Sequence, residues 1–106
     1  MSHKSICGCT PVGASSGFNL YSPTFVRGLR AGELPEMARA YGKAVNLARE
    51  AGFDAVEIHA GHGYLISQFL SPSTNHRKDE FGGSLENRMR FMDMVMEEVM
   101  KAAGSD

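Results

Sequence analysis

The sequence predicts an α/β fold, and three observations carry the prediction. An amphipathic helix over residues 33–51 ends at a glycine. An apolar run over residues 53–60 follows at once, and after a polar loop a second amphipathic helix begins at Ser84. Helix, tight glycine turn and buried strand in succession is the order of a parallel α/β unit. A strand buried on both faces needs a neighbour along each edge, because its N–H and C=O groups cannot stay unpaired in a core. The 106 residues offer one convincing strand and one weak one, so helix–strand–loop–helix reads as a slice of a larger barrel or sheet.

Residues 1–32 form the first segment of the predicted organisation. They are rich in Gly, Ser, Thr and Pro, with the turn-prone pairs "TP", "SG" and "SP", and only "FNLY" and "TFVRGL" offer apolar clusters. That composition predicts an irregular segment with at most one short strand. From residue 33 the pattern turns helical: Leu34, Met37, Ala38, Tyr41, Ala44, Val45 and Ala48 recur at three- and four-residue steps. Pro35 suits the first turn, Glu33 and Glu36 complement the positive end of the helix dipole, and Arg49 the negative end. Gly52 is placed to end the helix in the left-handed conformation. Gly42 costs about 1 kcal/mol relative to alanine in mid-helix, which a close packing partner would explain.

"FDAVEIHA", residues 53–60, is then the predicted strand. "YLISQFLS" predicts a short helix or turn packing Leu65, Phe69 and Leu70, stopped by Pro72. "PSTNHRKDEFGG" is a polar loop long enough to carry function. Its Arg77, Lys78, Asp79 and Glu80 predict a solvated or ion-paired surface, with Arg88 and Arg90 either anchoring it or lying in solvent. The "GG" that follows sets up the next helix rather than a phosphate cradle, since neither nucleotide-binding glycine spacing is present. Ser84 is a good N-cap, Glu86 suits the first turn, and Lys101 and Gly104 mark the end. Leu85, Met89, Met92, Val95, Met96 and Val99 form the predicted core stripe. Five of the seven methionines fall in this helix, and at this spacing they read as core rather than as a partner-binding face.

The bulk composition excludes several function classes. A formal net charge of −1 supplies no field to recruit nucleic acid or an acidic membrane. No apolar run approaches the roughly 18 residues of a membrane span, and the N-terminus lacks an apolar signal core, so the expected compartment is the cytoplasm. Cys7 and Cys9, one residue apart, make a poor disulfide framework and fall short of a four-ligand metal pattern; they read as reduced thiols on a flexible arm.

The chemistry concentrates in "EIHAGHGYL". His59 falls at or just past the carboxyl end of the predicted strand, where α/β proteins place ligands, and His62 and Tyr64 follow on a glycine-flanked turn. All three can point into one cleft. Two imidazoles can donate N–H groups to an oxygen gaining negative charge, and a phenol can deliver a proton. Together they suit polarising a carbonyl and protonating an adjacent carbon. Two other readings stay open from the residues alone. One is a metal site completed by Cys7, Cys9 or His76, although the glutamate and histidine spacing of a zincin helix is absent. The other is a pair of histidines bonded to backbone at a strand end.

Residues 51–91, "AGFDAVEIHAGHGYLISQFLSPSTNHRKDEFGGSLENRMRF", resemble the old yellow enzyme family of flavin-dependent oxidoreductases. The strand, the H-x-x-H-x-Y turn, "QFLSP", the "TN-R-DE-GGS" pattern and "ENR-RF" occur in order; helix 33–51 and the last helix match more loosely, and residues 1–32 carry no family motif. The resemblance implies a (β/α)8 TIM barrel that holds FMN at the carboxyl ends of its strands. It implies hydride transfer from NADH or NADPH through the flavin to an activated alkene, an enone or an unsaturated acyl thioester. By position, His59 and His62 match the pair that hydrogen-bonds the substrate carbonyl, and Tyr64 the residue that protonates the carbon alpha to it. Many members have Asn at the second position, where this chain has His62.

A TIM barrel takes at least about 200 residues, so residues 33–106 are expected to form roughly a quarter of one, too short to close. Most of the FMN site then falls outside these residues, and no cofactor-binding side chain is assigned. "CGC" does not match the cysteine spacing of the family's iron–sulfur members. The expected partner is a small-molecule alkene, with no nucleic acid and no membrane. The rival expectations are a truncated, catalytically inactive remnant serving as an interaction module and, third, a zinc-binding module.

Overall fold

A computed structural model describes residues 8–19 and 23–104 of the chain. The first segment holds more β-structure than its composition predicts: β1 (Val12–Gly13), β2 (Gly17–Asn19) and β3 (Thr24–Gly28). β3 is central, parallel to β1 and antiparallel to β2. Phe18 and Phe25 face each other across the β2–β3 pair with ring centroids 5.2 Å apart, a cross-strand aromatic contact that local propensity does not reveal. Gly28 meets a real constraint here, since a Cβ on it would lie 2.9 Å from the Ser16 nitrogen.

A single 3-10 turn, Ala31–Glu33, leads into α1 (Leu34–Glu50). The turn is fixed by Glu33, whose carboxylate takes the Arg30 N–H at 2.7 Å and both guanidinium nitrogens of Arg27, at 2.8 and 3.0 Å. These bonds, led by the one from the Arg27 side chain, hold the Glu33 carboxyl down at about 2. Leu34, Ala38, Gly42 and Val45 form the buried face of α1, with Met37 and Tyr41 beside it; Ala44 faces outward instead. Gly52, at φ 85°, ends the helix as expected. Its N–H bonds Arg49 O, and the Phe53 N–H bonds Ala48 O, the reciprocal pair of a Schellman cap.

The predicted strand over residues 53–60 does not form. It joins no sheet among the described residues, and Phe53 is 69% exposed; only Ile58 and Ala60 are partly buried. The reason is edge pairing: a strand is defined by its ladder, and the described residues place no partner on either side of this run.

The chain then enters α2 (Leu65–Leu70), which buries Ile66 and Phe69 completely, with Leu65 and Leu70 at the core's margin. α3 (Leu85–Ala103) begins at Ser84, whose hydroxyl accepts the Asn87 N–H at 3.2 Å. Its core face is Phe91, Val95 and Val99. The predicted stripe is therefore displaced: Leu85 is 59% exposed and Met89 also faces solvent, because Phe91 takes the centre by stacking on Phe69 at 4.5 Å. Met92, Met94 and Met96 flank that face, and Met100 is exposed. Gly42 of α1 has the packing partner its position required: a Cβ there would sit 3.0 Å from Glu98 O of α3. Ala14 and Leu29 of the β-segment join the same core.

Candidate functional site

The turn between residue 60 and α2 is built from two consecutive left-handed residues, His62 at φ 54° and Gly63 at φ 74°. Glycine takes that conformation freely; a histidine does so at a cost that surrounding contacts must offset. Those contacts are present. The Tyr64 N–H reaches Gly61 O at 3.2 Å, the Gly63 N–H reaches Ser67 Oγ at 3.4 Å, and the Gln68 amide nitrogen donates to Gly63 O at 2.8 Å.

Held this way, the turn brings the three expected residues together. His62 Nδ1 lies 3.2 Å from His59 Nε2, and the two rings are 5.0 Å apart at their centroids. The Tyr64 ring stands edge-on to His59, also at 5.0 Å. His59 and Tyr64 share an apolar cleft of about 400 Å³ walled by Tyr41 and Val45 of α1 and by Val56 and Ile58. Burial raises the Tyr41 hydroxyl above its ordinary pKa, which keeps it neutral. His62 opens instead onto a groove of about 550 Å³ with Phe18, Gln68, Thr74 and His76. The cluster thus spans two adjoining clefts rather than the single one expected.

The ring contact limits what the pair can donate. One ring donates its N–H to a nitrogen of the other, so a neutral pair offers a single N–H outward. Two outward donors require one added proton or a parting of the rings.

The loop after α2 is ion-paired at Arg77–Asp79, as expected, and anchored through Asn75 and Arg77, while Lys78, Asp79 and Glu80 stay exposed. Asn75, 6% exposed, donates its amide to Phe69 O and Phe81 O, both at 2.7 Å, and its Oδ1 accepts the Arg77 N–H at 3.1 Å. The Arg77 side chain is only 8% exposed: it pairs with Asp79 at 2.6 Å, donates to Ala14 O and Leu29 O, and lies 5.4 Å from the Phe69 ring centroid. Its hydrogen bond lowers the Asp79 pKa. Arg88 donates to Leu70 O and Gly83 O, and Arg90 to Glu80 O, so both anchor the loop. A Cβ on Gly82 would collide with Arg77 O, and Gly83 has φ 85°, which makes "GG" the helix-entry turn expected of it.

The metal reading gains no geometry. His76 turns to Ser73 O at 2.8 Å, Cys9 is exposed, and Cys7 lies outside the described residues. No three His, Cys, Asp or Glu side chains among the described residues could hold an ion. Nor is any helix among them long and apolar enough to cross a membrane. Gln68, Asn75 and the buried Arg77 carry contacts that local sequence pattern does not announce. A signal was available for Gln68, a lone amide inside the apolar run "LISQFL".

The model of the NADH:flavin oxidoreductase / NADH oxidase family matches residues 3–106. A putative 12-oxophytodienoate reductase-like protein 2A of Arabidopsis thaliana is 50% identical over 90 residues, 83% of this chain and 34% of that protein. A cinnamate reductase of Clostridium sporogenes is 51% identical over 81 residues, 76% of this chain and 12% of that protein. Among solved structures, an old yellow enzyme homologue from Zymomonas mobilis superposes with a TM-score of 0.89 at 40% identity, over 95% of this chain and 31% of that one. The chain spans about a third or less of these relatives. The likeness bears out the expected fold class, a partial (β/α)8 barrel whose sheet is not closed.

Proposed function

The chain belongs to the NADH:flavin oxidoreductase / NADH oxidase family, and from that premise we propose that it is part of an FMN-dependent reductase of activated alkenes. The substrate class is an enone or an unsaturated acyl thioester. The observation that carries the reading is the contact of His59, His62 and Tyr64 on one strained turn. The His59–His62 pair holds the substrate's carbonyl oxygen through its outward N–H, which the ring contact orients, and draws electron density onto it, and Tyr64 supplies the proton to the carbon alpha to the carbonyl. When bound, FMN reduced by NADH or NADPH would supply the hydride.

The residues present suit the carbonyl end of such a substrate and not the flavin. The cleft beside His59 carries one formal charge, Glu57, which is negative and would repel a phosphate. No flavin-binding residue is assigned among the described residues, and the reading places most of the FMN site on the parts of the longer relatives that this chain does not span. The compartment proposed with this reading is the cytoplasm.

Tyr64→Phe tests the reading in the flavin-loaded protein. Reduction of an enone is expected to slow by roughly 10²–10⁴-fold, the ordinary worth of a positioned acid, while flavin reduction by nicotinamide stays intact. If both half-reactions fall together, Tyr64 is not the proton donor. His59→Ala and His62→Ala are each expected to weaken carbonyl or phenol ligands by about tenfold, one hydrogen bond's worth of 1.4 kcal/mol. Unchanged affinity overturns their role.

A further inference from the structure

We propose that Gln68 is the positioning residue of the histidine pair, a clamp joining the His62–Gly63 turn to Ala14 at the end of strand β1. Its amide works at both ends. Nε2 donates to Gly63 O at 2.8 Å, and Oε1 accepts the Ala14 N–H at 3.4 Å. The two partners also fix the amide's orientation, since reversal would set oxygen against oxygen and N–H against N–H. One end therefore grips a left-handed residue adjacent to His62, and the other grips the β-segment more than fifty residues earlier.

Two independent features support the clamp. His62 is the sole non-glycine residue with positive φ among the described residues, and such a conformation persists only where its surroundings over-determine it. The second feature is Gly13. A Cβ on that residue would stand 2.6 Å from Gln68 Oε1 and 3.0 Å from a Val26 methyl, so β1 comes as close to the amide as a bare backbone allows. The sequence keeps glycine where the clamp passes. Without the Gln68 bond the turn relaxes towards ordinary φ, and the His62 ring swings away from His59.

The purpose of the clamp rests on the proposed role of the histidine pair, but its geometry can be read without ligand or turnover, so the two fail separately. The test uses the full chain, isotopically labelled, and NMR. In the unaltered protein the Gln68 side-chain amide protons are expected to show nuclear Overhauser contacts to Gly63, and the His59 and His62 rings to each other. Gln68→Glu keeps the acceptor for Ala14 and loses the donor to Gly63; Gly13→Ala leaves Gln68 in place but displaces its flexible amide. Each variant is expected to lose the ring–ring contact while the Phe69–Phe91 core contacts remain. Persistence of the ring contact in either folded variant overturns the proposal, as does a Gln68 amide with no contact to Gly63 in the unaltered protein. If Gln68→Glu fails to fold, Gly13→Ala and the unaltered protein decide.

Discussion

Asn75→Ala isolates the energetics of the loop after α2. The Asn75 amide serves two backbone carbonyls, Phe69 O and Phe81 O, each at 2.7 Å, from a side chain 6% exposed. Truncation orphans both acceptors and the Arg77 N–H that Oδ1 receives. A buried polar group left unpaired costs about 1–3 kcal/mol. Water entering the space left by the amide would recover part of that, so the low end applies to each carbonyl and the sum is about 2–3 kcal/mol. Against the roughly 5–15 kcal/mol that holds a domain of this size together, that is a large fraction. In urea, with a slope of about 1–1.5 kcal/mol per molar, the midpoint should fall by roughly 2 M at unchanged slope. Asn75→Asp sharpens the test, because at neutral pH it replaces the double donor by a carboxylate facing two carbonyl oxygens. It should be less stable than Asn75→Ala at pH 7 and recover part of the difference in acid, where a protonated carboxyl can donate once. An unfolding free energy for Asn75→Ala within about 0.5 kcal/mol of the unaltered protein's, the range of an inconsequential surface change, would refute the reasoning.

Two further perturbations probe the helix pair and the acid limit. Gly42→Ala gains about 1 kcal/mol of helix propensity but drives a methyl to 3.0 Å from Glu98 O. Backbone on α3 cannot yield as a side-chain tip would, so a net loss of about 1 kcal/mol is expected in thermal melts; a gain in stability would show the helices are not in close contact. Acid should destabilise the fold through Glu33, held at about 2 chiefly by the Arg27 side chain, and through Asp79, lowered chiefly by Arg77. Both pKa values lie below their unfolded values, so the stabilisation is complete above roughly pH 5 and drains away as pH falls from there towards 2. Glu33→Gln should flatten the melting temperature over that window, and an unchanged pH profile would count against the Arg27 pairing.

Much of this protein was legible from sequence because the signals act within a turn or two of chain. Gly52 closes α1 through its bond to Arg49 and that of Phe53 to Ala48, and Ser84 opens α3 through Asn87. The H-x-x-H-G-Y spacing brings His59, His62 and Tyr64 into contact through a six-residue arc, and the densely ordered motifs around it disclose the family. Local spacing, caps and periodicity do not depend on the rest of the molecule.

What tertiary structure decided depended on groups far away in sequence. Residues 53–60 have the composition of a buried strand, but a strand exists only where another backbone answers its N–H and C=O groups, and here none does among the described residues. Residues 12–28 show the converse, a sheet made from a Gly- and Ser-rich stretch because β3 finds partners on both sides. In α3 the periodicity announced an apolar face, while contact with Phe69 chose Phe91 over Met89 as its centre. Gln68 reaches back to Ala14, and Arg77 to Ala14 and Leu29, across separations of 48 to 63 residues. A polar side chain's propensity says only that it needs partners; the folded chain determines which atoms they are, and with them the geometry in which the two histidines meet.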